Sequence, residues 1–503
     1  MSTQIASTES TTTDYCGPAS ANPVPNDQPI VVQIPPARSF TVGSIPASWW
    51  RNPPISDPTW RLTLRGFVWA KPIAKRAHLD GQLRSLSTIV GQAVKFHQQN
   101  PDPNTTNHGW EEGTAMKRLD AENCLYSLMP TARLRSSMIS DAAVLLGSRY
   151  YGPPRTPVHN HGLMANIQLF RAGTLLNVPA WKSVAIKRMV TEASLAFSAK
   201  GVTFEQSSEY QLVNINLWTL ASTYLRQSGY ASAADSIDRT LARAVAAFRW
   251  MTEPDGRIVQ IGDSTKRLGD PHPTYTNRIF KDDATGWIVG RWSWRDPNTT
   301  YYTVRYGPAQ RAHGQHDRAG GVTWSTAGVR VLVGPGKYNY DRTSKWYSYQ
   351  YSPQSHNVAV PHGRSVTNNG GSAAASLIQA PAHTWTINDN MFGADHSRTI
   401  YVNRATQMMR VVDHFADVPW WRQHWHLDFA WQLVSESSRK LTFSHPSGKR
   451  LSVTTTGRLL DVIKGDFSPV QGWNFPVFGS RVSAHEIVIR SYGKSSTTNF
   501  AVH

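Results

Sequence analysis

Five side chains between residues 312 and 363 have the types and placing needed to move protons: His313, His316, Tyr338, Tyr340 and His356. They stand at the ends of short runs of β type, from which side chains converge on a cleft. Histidine with tyrosine makes a general acid–base set near neutral pH. Two histidines three residues apart, then a third after a hairpin, also open a zinc pattern. No third protein ligand follows at a firm spacing, so metal is the weaker reading.

Three upstream segments carry further polar groups. His159-Asn160-His161-Gly162 opens a helical run. Asn160 there is an ordinary capping candidate. A histidine on either side concentrates donors at a helix N-terminus, which favours an anionic group. Glu205-Gln-Ser-Ser-Glu-Tyr210 stands ahead of another helix, where a tyrosine more often packs than reacts. Glu253-Pro-Asp-Gly256 and Gly262-Asp263-Ser264 read as two turns about a short strand, with Asp263 structural.

The elements that must position these groups change character along the chain. Residues 1–45 are rich in Pro, Ser and Thr and read as an extended arm. From 46 to 288 the apolar period is helical, as in 78–100, where Leu79, Leu83, Leu86, Val90 and Val94 share a face. Runs at 161–177, 180–197, 211–227 and 233–252 repeat the pattern, and Tyr151-Gly-Pro-Pro and Glu253-Pro-Asp-Gly interrupt it. Helices of similar length in series suggest a helical array or toroid. From 289 to 503 the period is two, and nine or more short strands predict an antiparallel sandwich. The expected class is α+β multidomain: an incomplete (α/α) toroid followed by an antiparallel β-sandwich.

Composition narrows the partners. Lys and Arg number 52 against 34 acidic residues, a formal charge of +18, which speeds encounter with anionic partners. The basic residues are dispersed and no nucleic-acid signature occurs, so an acidic polysaccharide is favoured over nucleic acid or membrane. No apolar run is long enough to span a bilayer. The N-terminus lacks the basic start and apolar stretch of a secretory signal. An extracellular or virion-associated protein is still expected, either with its signal removed or carried on a phage particle or cell surface through the arm. Two cysteines, Cys16 and Cys124, predict neither a disulfide framework nor a thiolate metal cluster.

Six short elements, in order from about residue 60 to 430, give the chain a family look. They are Asn160-His161-Gly162, Glu205 to Tyr210, Pro254-Asp-Gly256 with Gly262-Asp-Ser264, His313-Gly-Gln-His316-Asp317, Leu332-Val-Gly-Pro-Gly-Lys-Tyr338-Asn-Tyr340, and Ser355-His356-Asn357-Val358. Together they resemble the heparinase II/III-like polysaccharide lyases, which include alginate and oligoalginate lyases. The resemblance implies β-elimination beside a uronic acid. Asn160 and His161 would neutralise the carboxylate, Tyr210 would act as base and often acid, and His313 or His316 would assist. Tyr338 or Tyr340 would be a second acid, and positive charge nearby would lower the tyrosine pKa. His159, Arg118, Tyr349, His356 and Trp110 are the substrate-binding candidates. No cofactor is implied, apart from a zinc that some relatives hold through the positions of His316, Gly334 and His356. Gly334 offers no side chain for that, leaving Asp317 or a water to substitute. Other departures are H-G-Q-H for H-G-H, Gln211 for a histidine after the tyrosine, and Tyr349-Gln-Tyr351 where an arginine is common. Two alternatives remain beside the lyase. One is a glycoside hydrolase using Glu205, Glu209 or Asp317. The other is a non-catalytic carbohydrate-binding or phage-tail adhesion protein, with exposed Trp420, Trp421 and Trp425 stacking on sugars.

Overall fold

The computed structural model describes residues 14–24, 29–34, 39–103, 108–147, 158, 160–270, 276–308, 312–367, 372–379 and 381–503. His159, the Tyr151 turn and Pro25, Pro35 and Pro36 of the arm lie outside them. Two compact units emerge, Met1–Glu192 with Thr223–Ala233, and Ala193–Ser222 with Ala234–His503.

The first unit is helical. Its helices include Pro58–Arg65, Ala70–Leu79, Leu83–Gln99, Glu112–Leu128, Ala132–Leu146 and Asn160–Leu175. The single helix expected over 78–100 is broken at Asp80-Gly81-Gln82, because Gly81 takes a φ of 71°, a backbone state that suits glycine. Leu79 and Leu83 flank that break and are each 62% exposed, so they leave the apolar face to which periodicity assigns them. Trp50, Phe67 and Phe96 fill the core, Trp50 stacking on Phe67 at 5.2 Å.

The arm does not hang free where it is described. Ser20 N–H donates to the Pro72 carbonyl at 2.9 Å, and Lys75 pairs with Asp14 at 2.7 Å. Cys16 is joined by a disulfide to Cys124 of the helix Glu112–Leu128, across 108 residues of sequence. That bond corrects the expectation of no disulfide. A count of two cysteines carries no framework signal, yet it suffices for one bridge once the arm folds back.

The second unit carries the sheets, and all pairings within them are antiparallel. Eight strands pair in the order 432–437, 440–444, 450–455, 495–502, 408–415, 396–403, 382–389 and 372–379. Four more run 458–464, 485–491, 421–426 and 359–361, and five run in sequence from Ile279–Asp282 to Val329–Leu332. Strand begins at Ile279, ahead of the change of period read at 289. One apolar core joins the three sheets, with Trp324, Trp385, Trp425, Ile400, Ile487 and Phe500 at its centre. Alternation drives this burial: in the strand His396–Asn403 every second side chain is buried. Trp421 and Trp425 are fully buried, which removes them as exposed sugar-stacking candidates; large aromatic area is worth most inside. Trp420 alone of the three is half-buried.

Candidate active site

Three loops of the second unit lock together by backbone. His313 N–H donates to the Glu205 carbonyl at 3.2 Å, and Asp263 N–H donates to the His313 carbonyl at 2.8 Å. They cross so closely that a Cβ at Gly262 would lie 2.5 Å from the Gln206 carbonyl oxygen and 2.6 Å from that of His313. Gly262 also has a φ of 62°, so a side chain there is excluded twice. Tyr210 sits in the first turn of the helix Ser208–Gln227, with its N–H donating to Ser207 Oγ at 3.3 Å.

The Asp263 carboxylate is the hub of the crossing. It is fully buried and accepts from Tyr351 Oη at 2.7 Å to each oxygen, from His313 Nδ1 at 3.0 Å and from Gln315 Nε2 at 3.2 Å. His313 Nε2 lies 3.4 Å from Glu205 Oε2, so the imidazole is held between two carboxylates. The Tyr210 ring lies flat on that imidazole, with centroids 3.3 Å apart and planes at 13°. Tyr210 Oη meets Tyr340 Oη at 2.9 Å, and Lys337 Nζ donates to Tyr340 Oη at 3.3 Å. Lys337 is buried among rings, 5.5 Å from that of Tyr210 and 5.0 Å from that of Tyr340. Residues 130 apart in sequence thus form one hydroxyl chain ending on an ammonium.

Electrostatics run opposite to the sequence expectation for Tyr210. Burial pushes its phenol up to about 12, aided by the negative charges of Asp263, Glu205 and Glu209, with only the Tyr340 hydrogen bond acting downward. Burial also raises Tyr340 well above the usual phenol value. Burial lowers the Lys337 ammonium.

Tyr338 does not join that hydroxyl chain. Tyr338 Oη accepts from Arg481 Nη1 at 3.1 Å, and its ring packs on Phe475. Asn160 opens the helix Asn160–Leu175 in the first unit and is buried; His161 beside it is half-exposed. A Cβ on Gly162 would sit 3.1 Å from Glu192 Oε1, so the glycine lets that carboxylate approach.

Four substrate-binding candidates are corrected by burial, one of them His356 at 4% exposure. Arg118 is fully buried, its Nε donating to Asp141 Oδ2 at 2.8 Å and its guanidinium 3.9 Å from the Phe96 ring. Trp110 is fully buried beneath the same guanidinium. Tyr349 is buried against Phe475; its neighbour one helical turn's half away, Tyr351, is the one that reaches Asp263. Asp263, read as structural, is the buried hub that joins His313, Gln315 and Tyr351. Lys337 and Tyr351 carry no sequence signal that separates them from ordinary surface residues.

The zinc set does not fit these residues. His316 Nδ1 and His356 Nε2 are buried without a hydrogen-bond partner, and burial lowers both imidazoles, His356 strongly. The third corner is closed, because a Cβ on Gly334 would stand 2.0 Å from the Gln260 carbonyl oxygen. Asp317 is turned to Arg305, 3.6 Å from its Nε. Among the described residues the one group of three metal-type donors is His97, Glu122 and Asp141. Burial opposes protonation of His97, but the two carboxylates outweigh it and hold the imidazole at about 9.

The hydrolase carboxylates are also committed. Glu209 Oε2 accepts from Thr265 N–H at 2.7 Å while its Oε1 pairs with Arg267 at 2.6 Å, and Glu205 Oε1 accepts from Asn214 at 2.9 Å.

A helical region followed by antiparallel sheets is the architecture of a family of polysaccharide lyases, and the sequence matches that family over both parts. Residues 40–279 match the family model described as Heparinase II/III N-terminus, and 279–503 match Heparinase II/III-like, C-terminal. The chain belongs to the heparinase II/III family. Similar solved structures include heparan sulfate lyase HepC from Pedobacter heparinus, as a mutant, at 16% identity and TM-score 0.67, covering 96% of this chain and 85% of that one. Heparinase III is similar at 13% identity and TM-score 0.75, covering 90% and 78%. Chondroitin AC lyase from Streptomyces coelicolor A3, in complex with chondroitin sulphate, is similar at 12% identity and TM-score 0.53, covering 88% and 73%. No curated protein matches the chain in sequence.

Proposed function

We propose that the enzyme cleaves an acidic glycosaminoglycan-type polysaccharide by β-elimination beside a uronic acid. The observation that carries the reading is the chain Tyr210–Tyr340–Lys337 laid on His313, which Asp263 and Glu205 hold in place. It is a proton path with a cation at one end. Family membership and the similarity to heparan sulfate and chondroitin lyases favour an acidic polymer, as does the charge of +18.

Neutralising the uronate carboxylate makes the C5 proton acidic enough to leave. That proton passes to the oxygen of Tyr210 in its phenolate form, which becomes the neutral phenol. The C5–H electrons form the C4–C5 double bond, the C4–O4 bond breaks, and O4 takes a proton from the Tyr210–Tyr340 pair. With its phenol raised to about 12, Tyr210 is scarcely ionised at neutral pH, and the Lys337 ammonium, reaching it through Tyr340, favours the phenolate that must form. The residues at Gly334 and Asp317 give zinc no third ligand, and no step is assigned to a metal. The disulfide fits an exported or particle-borne protein.

The test is incubation with a panel of acidic polysaccharides while following the ultraviolet absorbance of the unsaturated uronate. Rising absorbance that Tyr210→Phe abolishes supports the reading. New reducing ends without absorbance mean hydrolysis, and retention on polymer with neither signal means a binder; both overturn it.

A further inference from the structure

A second cationic surface of the same unit lies on the four-stranded sheet and takes no part in the chemistry above. Strand register puts Arg458 directly opposite Arg490, and Arg490 directly opposite Arg422. Side chains directly opposite share a face, so three guanidinium-bearing residues stand in a row across three adjacent strands, spread over roughly 10 Å. Like charges so placed destabilise a sheet.

Nothing in the described residues neutralises the row. The acids on that face of the register are Asp461 and Glu486. Glu486 is taken by His424 Nδ1 at 2.9 Å, and Asp461 is exposed and makes no ion pair with the arginines. Nε of Arg422 and of Arg490 is buried with no hydrogen-bond partner, so each guanidinium is incompletely satisfied in the free chain. Aromatic rings set their direction instead. Arg490 lies 4.6 Å and Arg422 5.0 Å from the Trp420 ring, and Arg490 Nη1 donates to the Tyr492 hydroxyl at 2.9 Å. His362 stacks on Trp420 at 3.9 Å. Tyr492 is 58% exposed and Arg458 is exposed, so the row is open to solvent.

We infer that this face is a non-catalytic binding surface for an anionic polysaccharide strand, with Arg458, Arg490 and Arg422 meeting successive carboxylate or sulfate groups. Guanidinium groups suit such oxyanions because their donors form a rigid fork. A nucleic acid is disfavoured because single-strand binders offer open rings on which bases stack. Here Trp420 already carries His362 and two guanidinia, and Tyr492, though exposed, is a single ring whose hydroxyl is held by Arg490. The inference does not depend on the lyase reading, since the surface uses none of the site residues.

The test compares the full chain with Arg422→Gln/Arg490→Gln for equilibrium binding of heparan sulfate, dextran and single-stranded oligo-dT, and for melting without ligand. The expected result is about tenfold weaker heparan sulfate binding, the sum of two exposed charge contacts. Dextran binds neither protein, melting is unchanged or higher because repulsion is relieved, and cleavage of a short oligosaccharide is unaltered. Unchanged heparan sulfate affinity overturns the inference, as does a loss confined to oligo-dT. Melting several degrees lower overturns it too, since the arginines would then be structural. Should the double variant not fold, the exposed Arg458→Gln decides: a severalfold loss of heparan sulfate binding is expected, and none refutes. Loss of short-oligosaccharide cleavage in the double variant would also overturn the inference, since the arginines would then serve catalysis, whereas absence of cleavage in the parent chain would count against the lyase reading alone.

Discussion

Lys337→Met separates a proton path from a merely packed cluster. The ammonium lies 3.3 Å from Tyr340 Oη, which lies 2.9 Å from Tyr210 Oη. A full negative charge on Tyr340 at that distance would be favoured by about 1.3 kcal/mol in a water-like medium and about 5 kcal/mol at an effective dielectric near 20. Tyr340 is 37% exposed, so the lower part of that range applies, about 1.4 kcal/mol or one factor of ten. With Tyr210 near 12, the reactive phenolate fraction grows about tenfold per pH unit below that value. The logarithm of kcat/KM for uronate release is therefore expected to rise with unit slope through mildly alkaline pH. Lys337→Met should lower the whole line about tenfold and move its upper bend to higher pH, and Lys337→Arg should restore most of it. Stopped assays across the pH series, each with melting recorded, measure this. A Lys337→Met line that coincides with the parent would refute the path, whatever the variant's stability.

Four further outcomes are expected. Asp263→Asn removes the acceptor for both Tyr351 and His313 and should cut kcat on the order of a hundredfold with a small change in KM, read from initial rates. Cys16→Ser should destabilise the first unit by about 2–4 kcal/mol, because the bond closes a long loop; thermal melting with and without reductant checks it. His396 is buried, which opposes its charge, but the hydrogen bonds to Asp389 and Asp413 outweigh that and raise it to about 9. Its stabilisation is complete below the unfolded histidine value and is lost as pH rises through 9, so melting should fall over that interval and His396→Asn should flatten the fall. Treatment with a strong chelator should leave lyase activity unchanged, since Gly334 has no room for a third ligand; activity lost and then restored by added zinc would show the geometric argument wrong.

What local pattern controls was legible before the fold. The change of period near residue 289 locates the passage from helices to strands, because burial of one face leaves a period of 3.6 or 2 in the sequence. His313 and Tyr340 stood out by their side-chain types at element ends, while Tyr210, which alone reads as packing, was singled out only by the family resemblance. Their partners were not. Lys337 and Tyr351 become informative only through contacts across the chain: Tyr351 reaches Asp263 over 88 residues. Arg118 and Trp110 failed for the converse reason, since a cation and an aromatic ring look the same in sequence whether they face a sugar or each other. The same limit explains the row of arginines. Arg422, Arg458 and Arg490 are dispersed in sequence, and dispersion argued against a basic patch. Antiparallel register gathers them on one face, so a charge pattern read along the chain understates what a sheet brings together.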